Sequence, residues 1–75
     1  MSEDKVIVLF RNIRQVILAE GWCLDNKLNV KVIPVPKSYS SECGMCLVIN
    51  KEDGDELERF ANGNGMNTRI IPYHR

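Results

Sequence analysis

All three prolines of this chain fall in or beside two of its four extended, apolar runs. Proline has no N–H to give to a sheet ladder, so a run that contains one belongs at a sheet edge. Val30 to Val35 contains Pro34 and is followed by Pro36, and Thr68 to Tyr73 contains Pro72. Lys5 to Phe10 (KVIVLF) and Met45 to Ile49 have no proline and read as central strands, the first with both faces at least partly covered.

Two helical patterns separate these runs. Asn12 is a candidate N-cap for the first helix. Ile13, Val16, Ile17, Leu24 and Leu28 then recur at helical spacing and predict one apolar stripe. Gly21 interrupts this helix at a cost of roughly 1 kcal/mol relative to alanine. The helix is expected to end in the Asp25-Asn26-Lys27 region. Asn50 is a candidate N-cap for the second helix. Its first turns carry Glu52, Asp53, Asp55 and Glu56, where the helix dipole favours acids. Leu57, Phe60 and Ala61 form its apolar face, and Gly63 and Gly65 are expected to supply left-handed residues at its end.

The order β-α-β-β-α-β predicts an α+β fold, a ferredoxin-like two-layer sandwich with one antiparallel sheet and both helices on one face. That topology puts the second and fourth strands at the edges, where the prolines already require them to be. A single domain over residues 1–75 is expected, near the lower size limit for a self-sufficient core. Lysine plus arginine equals aspartate plus glutamate, ten each, so no basic footprint of a nucleic-acid binder is present. No run approaches the roughly 20 apolar residues of a membrane span. The first residues, with Glu3 and Asp4, lack the basic and apolar regions of a signal peptide. A cytoplasmic location with reduced thiols is therefore expected, and three cysteines do not suit a closed disulfide framework.

The chemistry concentrates between Ile33 and Cys46. A stiff Ile33-Pro34-Val35-Pro36 run leads through Lys37 into a loop of small residues, Ser40-Ser41-Glu42-Cys43-Gly44. Such a loop is suited to presenting a thiol. The thiolate is the nucleophilic form and needs both access and a supportive environment. Lys37 lowers the thiol pKa if it lies close, and main-chain amides around Gly44 are a second source of stabilisation. The plainer reading of Cys43 is a half-buried cysteine at a strand start, acting as a small hydrophobe.

These residues resemble the selenium/sulfur carrier-like protein family. The likeness rests on the strand ending in Phe10, a helix containing Ala19-Glu20, the Ile33-Pro34-Val35-Pro36 run, the Ser40-Ser41-Glu42-Cys43-Gly44 loop and the final Ile71-Pro72-Tyr73 strand. The resemblance implies a carrier that holds sulfur or selenium on Cys43 as a persulfide or selenopersulfide. It also implies donor and acceptor proteins that dock around Lys37, Ser40, Ser41 and Gly44. It implies no cofactor and no turnover chemistry of the chain's own. Cys46 departs from the family pattern, where a small apolar residue is common.

Cys46 has three readings: a core cysteine, a thiol that resolves Cys43, or a metal ligand. Extended residues three apart lie about 10 Å from one another, and a disulfide needs Cα atoms within about 7 Å, so the pair closes only if Gly44 and Met45 turn. A structural zinc site wants four ligands, and only Cys23 and His74 remain, so no metal is expected. Cys23 is expected to pack, and His74 reads as a solvated tail. Leu18 and Trp22 form either an exposed patch for a partner or a homodimer, or a tilted helix in which Trp22 caps the core. Two other functions stay open: a small interaction module with incidental cysteines, and a dithiol redox protein using Cys43 and Cys46.

Overall fold

A computed structural model of the chain describes residues 4–36 and 44–73. The elements run β1 (Lys5–Leu9), α1 (Ile13–Asp25), β2 (Val30–Pro34), β3 (Met45–Asn50), α2 (Lys51–Gly63) and β4 (Arg69–Pro72). They form one antiparallel sheet in the order β2-β3-β1-β4. This is the ferredoxin-like α+β arrangement expected from the sequence, with the proline-bearing strands β2 and β4 at the edges. The central pair is registered Lys5 to Asn50 and Leu9 to Cys46.

The side-chain period of two sorts each central strand between two apolar surfaces. Val6, Val8, Phe10, Leu47 and Ile49 pack with Val16, Ala19, Cys23, Leu57, Ala61 and Met66 in the layer between sheet and helices. Ile7, Leu9, Cys46, Val48 and Ile71 form a second buried cluster on the opposite face, joined by Ile33, Val35 and Tyr73. Burial on both faces explains why KVIVL and MCLVI are continuous apolar runs instead of alternating ones.

Both helices end in the same hydrogen-bond motif. Leu28 N donates to Cys23 O at 2.9 Å and Lys27 N to Leu24 O at 3.0 Å. Met66 N donates to Ala61 O at 2.8 Å and Gly65 N to Asn62 O at 3.3 Å. These are the paired bonds of a Schellman ending, with the apolar residue that follows folded back onto the core. The left-handed position is taken by Gly65 (φ 72) in α2 and by Lys27 (φ 60) in α1. Gly63, expected to be left-handed, is instead the last helical residue.

Asn12 caps α1 as expected, its Oδ1 accepting from Gln15 N at 2.9 Å. Asn50 occupies the N-cap position of α2 without a side-chain cap bond, because its Oδ1 accepts from Lys5 Nζ at 2.9 Å. Near the start of α2, Gly54 lies against β1 so closely that a Cβ there would stand 3.2 Å from Val6 Cγ2.

The expected stripe on α1 requires correction. Val16 is buried, but it is joined by Ala19 and Cys23, while Ile13, Ile17 and Leu24 are exposed at 47%, 60% and 59%. The helix turns its smaller side chains to the sheet and leaves its larger aliphatic ones outside. Leu18 is also exposed, but Trp22 is partly buried and stacks on Phe60 with ring centroids 4.9 Å apart and planes at 16°. Of the two readings of Trp22, the structure supports the one in which it covers the core.

Candidate functional site

The thiol-bearing loop joins an edge strand to a central one. Pro34 and Met45 are the last residues paired in the β2-β3 register, and Val35 N extends the ladder by donating to Gly44 O at 3.0 Å. On the β2 side, Pro34 and Pro36 fix their own φ and hold Ile33 and Val35 in extended conformations, which makes this stem stiff. On the β3 side, Gly44 has φ 75, a left-handed conformation that a side chain would strain. Gly44 is thus a bend from which the chain enters the ladder. Lys37, Ser40, Ser41 and Cys43 themselves lie outside the described residues, as does His74.

The other two thiols are interior. Cys46 sits in a row between Ile33 on β2 and Leu9 on β1, fully buried, with Sγ 3.9 Å from the carbonyl oxygen of Pro34. A thiol donates only weakly, and a contact of this length is one that a packed cysteine makes. Cys23 is fully buried on the helical side. Burial, then the carboxylates of Asp53 and Glu20, push its thiol from 9.0 up to about 11. A thiol so protonated at neutral pH is a poor nucleophile.

A shallow cleft of about 1170 Å³ opens at the other end of the sheet, away from Gly44. Among the described residues Lys5, Lys31, Lys51, Val48, Ile71 and Tyr73 contribute to its walls, with no cysteine, histidine or serine among them. Its described walls offer charge. Among the described residues no cluster of three or more His, Cys, Asp or Glu could hold a metal ion, and no helix is long and apolar enough to cross a membrane.

Gly44 stands out in the sequence, but its spacing does not show how the loop is closed. The Val35–Gly44 backbone bond does this, and only the register of β2 against β3 reveals it. A family model described as Putative Se/S carrier protein-like matches residues 5–72, from the first residue of β1 to the last of β4, with the Cys43 loop inside the match. No curated protein and no solved structure matches the chain.

Proposed function

We propose, from the premise that this chain belongs to the Se/S carrier-like family, that it carries sulfur or selenium on Cys43. The observation that carries the reading is the division of the thiols. Cys23 and Cys46 are buried on opposite sides of the sheet. Cys43 belongs to a loop that leaves a proline-stiffened stem and returns through a left-handed glycine. In this reading Cys46 is packing for the sheet and not a resolving thiol.

The chemistry is an exchange without net oxidation. The Cys43 thiolate attacks the outer sulfur of a donor persulfide, a new S–S bond forms on Cys43, and the donor leaves as its thiolate. An acceptor nucleophile then attacks the outer sulfur, takes it, and restores the Cys43 thiolate. A selenopersulfide follows the same path with selenium as the outer atom. Lys37, Ser40, Ser41 and Gly44 shape the loop so that partner active sites reach the sulfur. The chain has no turnover chemistry of its own in this scheme, and it works in a reducing, cytoplasmic setting where Cys43 rests as a thiol.

The test is loading. The full chain is incubated with a cysteine desulfurase and cysteine, and its peptides are mapped by mass. One added sulfur is expected on the Cys43 peptide and none after Cys43→Ser. Equal loading of the Cys43→Ser variant would remove the assignment.

A further inference from the structure

The four exposed large hydrophobic side chains among the described residues all lie on α1: Ile13, Ile17, Leu18 and Leu24. At 100° per residue, positions 13, 17 and 24 fall within about 40° of one another, and their centre lies roughly 110° from that of Val16, Ala19 and Cys23. α1 therefore carries two apolar faces, one against the sheet and one that stays exposed among the described residues. Gly21 lies beside the outer face, exposed, with open space where its Cβ would be. Glycine in a helix interior is unfavourable by about 1 kcal/mol relative to alanine, and no contact within the chain requires it here.

We infer that this face binds a second copy of the same chain, through an antiparallel pairing of the two α1 helices about a two-fold axis. The apolar pattern is complementary to itself, while Glu20, about 40° from the seam centre on its other flank, stands near the other copy's Glu20 and keeps the contact weak. Ile17 and Gly21 lie equally far on either side of residue 19, so a two-fold axis at that level sets each Ile17 into the notch left by the other copy's Gly21. Ile13 and Leu24 then meet near the two ends of the seam. Arg14 and Asp25 are both exposed and stand on the same flank of the seam, within about 20° of each other around the helix. A two-fold axis across antiparallel helices keeps that flank on one side for both copies. Each Arg14 is thereby brought to the other copy's Asp25, giving two reciprocal ion pairs. An isologous interface demands this kind of self-complementarity, and an arbitrary partner would not.

The contact is small. The 13 residues of α1 give a helix about 20 Å long. Two such helices side by side fall below about 1,200 Å² of buried surface, in the class of weak, reversible interfaces. The dimer is thus weak and concentration-dependent. It is independent of the sulfur-carrier reading, since it requires nothing of Cys43.

The experiment is sedimentation equilibrium of the full chain over a broad concentration series, with circular dichroism to confirm that each surface variant is folded. The wild-type mass is expected to rise from one chain towards two. Ile17→Glu is expected to raise the dissociation constant at least about tenfold, a loss of roughly 1.4 kcal/mol. Arg14→Glu, which sets like charges against each other, is expected to weaken association, and adding Asp25→Arg to it is expected to restore the wild-type curve. A single-chain mass at every concentration would overturn the inference. So would a dimer insensitive to Ile17→Glu, or a double variant no tighter than Arg14→Glu alone.

Discussion

Two helical glycines with opposite surroundings give the sharpest test of the packing described above. Gly21→Ala and Gly54→Ala gain the same backbone advantage, about 0.8–1.0 kcal/mol, because alanine loses less freedom than glycine on entering a helix. At Gly21 the new Cβ meets nothing within 4 Å, so the whole gain is retained. For a domain of this size, 1 kcal/mol raises Tm by roughly 4–8 °C. At Gly54 the Cβ would lie 3.2 Å from Val6 Cγ2. Val6 cannot give easily. It is β-branched and restricted in χ1, it is buried, and it is flanked in the sheet by Ile49 and Pro72. Overpacking of this kind costs about 1–3 kcal/mol. Set against the backbone gain, Gly54→Ala is expected to be neutral or to destabilise by up to about 2 kcal/mol. The assay is urea unfolding followed by far-ultraviolet circular dichroism, at a concentration low enough for single chains. If Gly54→Ala stabilises as much as Gly21→Ala, the close approach of α2 to β1 is wrong.

Three further outcomes follow from single residues. Lys27→Gly is expected to stabilise the chain by about 1 kcal/mol, since Lys27 sits at φ 60 where glycine is unstrained; an unchanged urea midpoint would show that no strain is held there. Cys23 links stability to alkaline pH. Its folded pKa of about 11 lies above its ordinary 9.0, so its contribution is fully present below pH 9 and is lost as pH rises towards 11. A Cys23→Ala variant should lose less stability than wild type over that window, and parallel curves would refute the cause. Cys46→Ala should cost about 0.5–1.5 kcal/mol, as for one buried methyl, while leaving sulfur loading on Cys43 unchanged; slowed release or lost loading would instead make Cys46 a working thiol.

The order of elements was legible because strand and helix periods alternate cleanly, and the edge assignment was legible because Pro34 and Pro72 cannot serve a central ladder. Asn12 and the end of α1 were legible from local chemistry alone. The rotation of α1 was not. Its apolar residues occupy more than one face, and periodicity favours the bulky Ile13, Ile17 and Leu24, whereas the sheet accepts Val16, Ala19 and Cys23. Which face wins depends on how near the helix can approach β1 and β3, a tertiary quantity. Asn50 failed as a side-chain cap for a similar reason, since Lys5 lies across the sheet and forty-five positions away in sequence. The Cys43 loop stood out through its prolines, serines and glycine. The core reading of Cys46 was legible from its place one residue into an apolar strand, whereas the neighbours that bury it, Ile33 and Leu9, lie on two other strands.

Site-resolved alkylation of the folded chain tests the functional account most directly. A small electrophile such as iodoacetamide is added under native conditions, and each cysteine peptide is quantified by mass over time. The account predicts prompt modification of Cys43, with Cys23 and Cys46 labelled only once denaturant opens the core. Protection of Cys43 to the same degree as the two buried thiols would contradict it.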